Sequence, residues 1–513
     1  MLENLEPKNV FKYFEEICSI PHGSGNVDAI SDYLVSFAKE HDLWVKQDEL
    51  KNVIMIKEAS QGKEDKPPVM IQGHMDMVAV KEPGTDIDLT RDSLKLAIDG
   101  DYVYAENTSL GGDDGIAVAF GLALLSDERI SHPRIELVIT TEEEVGMEGA
   151  TAIDLTPCRG MQMLNIDSEE EGQFVAACAG GIRVNGSIPA KRMSKSEGRS
   201  VVEEDSKKIL HWRKIMLTGF AGGHSGTEID KNSGNANLAL GWFLNELSKE
   251  VDIKLAALQG GLKDNAIPIE AWAVVGVEEK AETAAEKEDM VSGAGKFEQV
   301  CRRLEKEIQS RYKDTDPDCR VELAALEDKG ELKQYLGEEQ TCLKQEDCAG
   351  ILSFLTEAPN GVCSMSKELD GLVQTSLNLG IMKLEKDEMQ VSFSLRSSVA
   401  QEKEELKERV CGLVEKYHGT VSTTGDYPAW EYKKESPLRE HMVAVYEKQY
   451  GKKPLILSLH AGLECGILAA KKPGLDCVSF GPDILDIHTT RERMSISSVK
   501  RVWDFLVEVI ETL

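Results

Sequence analysis

VMIQGHMDMV (residues 69–78), SLGGDDGIAVAFGLALL (109–125), IELVITTEEE (135–144) and MQMLNID (161–167) are the stretches on which the fold turns. The first, third and fourth are apolar runs of strand length that end in polar residues. The second is a Gly-rich loop that enters a helix near Ile116. The order strand, loop, helix, strand predicts an α/β domain with a mostly parallel sheet. In such sheets the sites gather at the carboxyl ends of the strands. Each of these apolar runs leads into His or acidic residues at that end.

Outward from this block, residues 8–18 and 27–41 read as amphipathic helices separated by the turn IPHGSGN. After about residue 185 the texture changes. HWRKIMLTGF is a strand candidate, AGGHSGTEID a loop and 233–249 a helix, while DIKLAALQGG and IEAWAVVGV form a strand pair. The charged stretch VEEKAETAAEKED (277–289) leads into a helix around 294–312, and LVQTSLNLGIMKLEKDEMQVSFSLRSS reads as a hairpin turning at LEKDE. From about 400 the α/β texture returns, with a helix at 401–417, strands near 420–425, 454–458 and 475–482, and a last helix at 497–512. The expected architecture is therefore an α/β domain formed by residues 1–185 and 400–513, interrupted by an inserted α+β domain over 186–399. At 513 residues, more than one domain is expected.

A formal charge of −31 opposes binding to nucleic acid or to an anionic membrane surface. No apolar run is long enough to span a bilayer, and the acidic, amphipathic start is unlike a signal peptide. The eleven cysteines are odd in number and contain no CxxC pair, so reduced thiols in a cytoplasmic protein are expected. Neither a GxGxxG with an acidic ribose ligand nor a GxxxxGK[ST] nor a GxSxG is found, which leaves nucleotide binding and serine hydrolysis without support.

The remaining signal is a constellation. His74 follows a buried strand, with Asp76 two residues on, a spacing that suits a ligand and the carboxylate that orients it. Asp113 lies in GGDDG before a helix, where one carboxylate could serve two cations. Glu142, Glu143 and Glu144 end a strand and would repel one another unless a cation sat among them. Asp167 ends the next strand, and His488 follows the strand that closes at Phe480. Each feature has an ordinary structural reading taken alone: a satisfied His, an N-cap, a solvated acidic loop. Together, two His and three carboxylates at strand ends are an inventory for two divalent ions sharing a bridge, with Zn²⁺ favoured and Co²⁺ or Mn²⁺ also suited.

HMDMV, GGDDG, TEEEVGMEGA, NIDSEEEG, GGHSG and the late His occur in the order of the M20 family of di-metal peptidases, which the chain resembles over nearly its whole length. NIDSEEEG, AGGHSGTEID and LHAGLECG are most similar to its aminoacyl-histidine (Xaa-His) dipeptidase branch. The resemblance implies a catalytic domain built from both termini and a lid between them. It implies that His74 and Asp167 bind one ion, Glu144 and His488 the other, and that Asp113 bridges. Asp76 matches the orienting residue and Glu143 the general base; a one-residue slip would move the base to Glu142. His224 matches a His that holds the scissile carbonyl oxygen, often from a partner subunit, so a homodimer is compatible with it. Asn265 and Arg396 match lid residues that contact substrate. His460 and Glu464 are further candidates for contact with the substrate's amino group or imidazole. The implied reaction is hydrolysis of small peptides, Xaa-His (carnosine-like) dipeptides above all, with a tripeptide aminopeptidase, carboxypeptidase or deacylase as the rival on the same scaffold and a non-catalytic metal-dependent binding protein as the rival of another class.

Overall fold

The structure, a computed structural model, describes residues 1–193, 208–280, 293–336, 341–369 and 371–513. The end of the charged stretch at 277–289 lies outside them. The chain divides into two compact units, Met1–Ala179 with Pro428–Leu513, and Gly180–Tyr427.

The first unit is built on an eight-stranded sheet in the order Trp44–Gln47, Val53–Lys57, Ile135–Thr140, Val69–His74, Gln162–Asn165, Asp476–Ser479, Gln173–Cys178, Leu455–Leu459. Ile135–Thr140, Val69–His74, Gln162–Asn165 and Asp476–Ser479 are consecutive neighbours and run parallel. Every residue of Val69–His74 and Ile135–Thr140 is buried, so these strands lack alternation because both sheet faces are covered. Helix Gly112–Ser126, apolar almost all round, fills one such face. Helix Lys8–Cys18 shows instead a stripe of buried Val10, Phe11, Phe14 and Ile17 at helical spacing. The outer strands add antiparallel pairings, at Trp44–Gln47 with Val53–Lys57, Val53–Lys57 with Ile135–Thr140, and Asp476–Ser479 with Gln173–Cys178. A second sheet of four short strands runs Ile484–Leu485, Arg493–Ser495, Tyr102–Ala105, Leu96–Asp99. It fixes the segment carrying His488 beside the segment that leads to GGDDG, joining residues almost 400 positions apart.

The second unit is an antiparallel sheet in the order Arg320–Ala325, Lys208–Thr218, Ala271–Lys280, Ile253–Gly260, Val373–Leu384, Glu388–Ser397, Gly180–Pro189, Thr420–Tyr427, with Gly361–Met365 added on Val373–Leu384. Helices Ala236–Ser248, Gly293–Tyr312, Gln345–Glu357 and Ala400–Lys416 supply apolar side chains to its core. The units divide at 179/180 and 427/428, whereas the sequence texture placed the boundaries at 185 and 400. The differences are residues 180–185, the start of strand Gly180–Pro189, and the segment that carries Ala400–Lys416 and Thr420–Tyr427. Thr420–Tyr427 pairs antiparallel with Gly180–Pro189, with Thr420 opposite Ser187 and Tyr427 opposite Gly181, so both stretches belong to the second unit. A helix followed by a strand has the same local pattern in either setting; only the long-range pairing distinguishes them.

Candidate metal centre

The four parallel strands of the first unit deliver their carboxyl ends to one place. His74 is the last residue of its strand and is 1% exposed. Its Nδ1–H donates to the Asp76 carbonyl oxygen at 2.9 Å and lies 3.6 Å from Asp76 Oδ1. That fixes the tautomer and turns the Nε2 lone pair outward, 3.1 Å from Asp113 Oδ1 and 3.7 Å from Asp167 Oδ1. On the other side of the same carboxylate, Asp113 Oδ2 is 3.1 Å from His488 Nε2, which is itself 3.0 Å from Glu144 Oε2. Asp113 therefore stands between two pairs of candidate ligands, His74 with Asp167 and His488 with Glu144, one oxygen toward each.

Local backbone makes this possible. Asp113 and Asp114 lie at non-helical angles at the start of Gly112–Ser126, after Gly111 in the left-handed region at φ 69°. Asp114 is buried, and its Oδ2 accepts the backbone N–H of His74 at 3.1 Å. A Cβ on Gly73 would fall 2.5 Å from that oxygen, so glycine is required there. Ligand-type atoms of His74, Asp114 and Asp167 also lie within 4.8 Å of one another, as do those of His74, Asp113 and Glu144. Because Asp114 is committed to the His74 backbone, Asp113 is the better bridge.

The glutamate turn is held from below. Glu142 and Met147 bracket Glu143–Gly146 at φ 56° and 57°. Asp76, wholly buried, accepts the Glu143 N–H on Oδ1 at 3.1 Å and the Ser24 hydroxyl on Oδ2 at 2.8 Å. Glu142 accepts the Gly25 N–H at 2.8 Å and is occupied by that tether. Glu143 is the member of the run whose carboxyl shares its surroundings with His74, Asp167, Glu464 and Glu144. Burial, with the nearby carboxylates, raises its pKa well above the usual range.

These residues fit a cationic occupant. Burial and the charges of Asp113 and Glu144 raise Asp167, and burial beside Asp113 and Asp167 lifts Glu169 to about 7. Hydrogen bonds to Asp113 and Glu144 push His488 up to about 10. Burial opposes the charging of His74, yet Asp113, Asp167 and Asp76 outweigh it and hold its pKa well above the ordinary value. Glu144 Oε1 is buried with no hydrogen-bond donor. Crowded buried carboxylates with an undonated oxygen, interleaved with two imidazoles, are a donor set for divalent metal.

The sequence pattern of peptidase family M20/M25/M40 matches residues 70–512. The chain belongs to that family. It is 32% identical to the cytosol non-specific dipeptidase of Escherichia coli, over 100% of this chain and 99% of that one. It resembles the solved aminoacylhistidine dipeptidase of Vibrio alginolyticus with TM-score 0.86 and 32% identity, covering 100% of this chain and 98% of that one. Aminopeptidase PepT of Bacillus cereus, 15% identical at TM-score 0.55 with 99% and 98% covered, shares the fold.

Of the family positions expected to contact substrate, His224, Asn265 and Arg396 all lie in the second unit. His224 sits in a loop bridged to Ala266; its Nδ1 accepts the Thr227 N–H at 3.1 Å, and its own N–H donates to Glu228 Oε2 at 2.7 Å. The Asn265 carbonyl oxygen accepts the Ser225 N–H at 2.8 Å. Arg396 donates to Tyr427 Oη at 2.9 Å and keeps a buried Nε with no acceptor. Burial, and then the charge of Arg396, lowers the pKa of His224, which places these two side chains in one electrostatic environment.

In the first unit, His460 is half-buried after Leu455–Leu459. Glu464 departs from the expectation of a substrate contact. It is wholly buried, and its Oε2 accepts from Gln72 Nε2 at 2.6 Å and Thr140 Oγ1 at 2.5 Å. Gln72 in turn accepts from Asn165 Nδ2 at 2.6 Å. Glu464 opens helix Glu464–Lys471 and is sealed against the strand ends, where burial lifts its pKa to about 7. It braces the strands that present His74, Glu143 and Asp167. Glu492, which no sequence motif marks, grips the GGDDG loop with its carboxylate; its only sequence signal is its position four residues after His488 in the same segment.

Proposed function

We propose that this chain is a dipeptidase that binds two divalent ions, Zn²⁺ above all, and that Xaa-His dipeptides are among its substrates. The observation that carries the reading is Asp113, whose two carboxylate oxygens each stand 3.1 Å from a different imidazole, with Glu143 beside them. The full-length likeness to two dipeptidases supports dipeptides over longer substrates. The likeness to the cytosol non-specific dipeptidase of Escherichia coli supports a breadth beyond Xaa-His and a cytoplasmic location. Among the described residues no helix is long and apolar enough to cross a membrane.

His74, Asp167, Glu144 and His488 are the residues that would hold the ions, with Asp113 placed between the two pairs. When bound, the ions supply Lewis-acid polarisation of a carbonyl and a more acidic water. Glu143 takes a proton from the attacking water and returns one to the leaving amine. Asp76 keeps Nδ1 of His74 protonated and the Glu143 backbone in place. His224 serves the developing oxyanion and not metal binding, and Asn265, Arg396 and His460 orient substrate. The test is a panel of Xaa-His, Leu-Gly and other dipeptides, tripeptides and N-acyl amino acids, run on metal-stripped protein with Zn²⁺, Co²⁺ or Mn²⁺ restored. Turnover of dipeptides only with ions restored is the expected result. Preference for tripeptides or N-acyl amino acids would overturn the substrate class.

A further inference from the structure

Glu492 is 3% exposed, yet it carries a carboxylate into the first unit next to another acid. Its Oε2 accepts the N–H groups of Leu110 at 2.8 Å and Gly111 at 3.0 Å. Its Oε1 accepts Gly112 N–H at 2.8 Å and approaches Asp113 N–H at 3.4 Å. Three successive backbone donors on one carboxylate form an anion nest, and the left-handed Gly111 at φ 69° helps to aim them. The fit is close, because a Cβ on Gly112 would stand 3.2 Å from Glu492 Oε1. A buried carboxylate near Asp113 costs electrostatic energy that a neutral hydrogen-bonding residue would avoid, so the charge at this position calls for a reason.

The geometry of the two segments supplies one. His488 and Glu492 lie on the same stretch between strands Ile484–Leu485 and Arg493–Ser495. One segment thus presents a ligand to one side of Asp113 and clamps the backbone from which Asp113 projects. We propose that Glu492 is a positioning residue that sets the Leu110–Asp113 backbone so that Asp113 reaches both ligand pairs at once. The spacing between His488 and Glu492 then ties the placement of the shared ligand to that of His488. The inference rests on the reading that Asp113 bridges two ions.

The experiment uses the full-length protein, stripped of metal and titrated with Zn²⁺, comparing wild type, Glu492→Gln, Glu492→Ala and Asp113→Ala. Glutamine keeps the size of Glu492 but points an NH₂ at N–H donors, so one half of the nest is lost. Glu492→Gln is expected to weaken binding of the second ion about 10–100-fold, the range for residues that orient metal ligands, and to speed amide hydrogen exchange at Leu110–Asp113 in the metal-free protein. Glu492→Ala is expected to do more of both. A merely structural role would lower the melting temperature and leave the ion count and second-ion affinity at wild-type values; that outcome overturns the proposal. Where the variants do not fold, wild type alone decides: protected amides at Leu110, Gly111 and Gly112 without metal support the clamp, and fast exchange there refutes it. A wild-type count of one ion overturns the two-ion reading itself, whereas two ions in wild type and two, bound equally well, in Glu492→Gln overturn only the role of Glu492.

Discussion

Replacing Asp76 by Asn tests how the two halves of the centre are joined. Asp76 meets His74 Nδ1 through its carbonyl oxygen at 2.9 Å and, at 3.6 Å, through Oδ1, and the same Oδ1 accepts the Glu143 N–H at 3.1 Å. Asparagine offers one acceptor where the carboxylate offers two. The Ser24 hydroxyl, at 2.8 Å from Oδ2, can rotate to accept from the new NH₂, so the amide keeps one good contact and the centre loses charge. A hydrogen bond to a charged group is worth about 1.5–3 kcal/mol, which is roughly 10–150-fold in an equilibrium constant. Residues that orient metal ligands typically govern affinity by about 10–100-fold, so the two routes agree. Asp76→Asn should therefore weaken Zn²⁺ binding by one to two orders of magnitude, measured by competition with a fluorescent chelator. It should also lower kcat at saturating metal, because the negative charge under the glutamate turn is lost and the Glu144 N–H, 3.4 Å from Oδ2, then faces an NH₂. Wild-type affinity with wild-type kcat would refute the reasoning, since it would mean that the backbone carbonyl of residue 76, which asparagine keeps, suffices to orient His74 and that the carboxylate charge contributes nothing.

Glu143→Gln should keep both ions by elemental analysis and lose about 10²–10⁴-fold in turnover; activity near wild type would transfer the base role to another group. His224→Ala should cut kcat by about 10²–10³-fold with metal content unchanged, and loss of metal instead would remove it from the reaction and make it structural. Asp101 accepts the Ser497 N–H and hydroxyl and the Ser495 hydroxyl at the start of helix Ile496–Thr512; desolvation is the largest single influence and pushes its pKa up, yet those bonds together outweigh it and bring the pKa below the usual carboxylate value. A group depressed in the folded state stabilises above its unfolded pKa and loses that contribution as the pH falls through its folded one. Asp101→Ala should thus cost about 0.5–1.5 kcal/mol at neutral pH, with the difference from wild type shrinking in denaturant melts on the acid side of pH 4; a pH-independent difference would assign the cost to packing.

Much of the fold is legible in the sequence because the first unit announces its parallel strands. Val69–His74 and Ile135–Thr140 are continuous apolar runs with no alternation, and a strand covered on both faces leaves that mark. The boundary at 427/428 is not legible, for the opposite reason. Thr420–Tyr427 is TVSTTGDY, a polar edge strand with most of its residues exposed. It reaches the second unit through ladder bonds to Gly180–Pro189, and backbone pairing between distant segments leaves no periodicity in either.

The same division governs the site. His74, Asp113, Glu144, Asp167 and His488 stand out in the sequence because each is a His or carboxylate placed just after a candidate strand or before a helix, and the structure brings these five side chains together. Glu464 and Glu492 are not legible, because a buried acid that braces a framework has the same letter as a solvated one. Glu464 follows LHAGL and reads as a residue facing substrate, yet it is sealed by Gln72 and Thr140. Glu492 stands in a charged TTRERM stretch that suggests surface, yet it closes on three backbone donors about 380 residues away. What separates these acids from surface ones is where their hydrogen bonds go, and that is a property of the assembled sheet ends and not of the segment that carries the side chain. An acid within a few residues of a predicted metal ligand is therefore worth testing for metal affinity before it is assigned to solvent, and Glu169, held at about 7 by burial beside Asp113 and Asp167, is the next such residue in this chain.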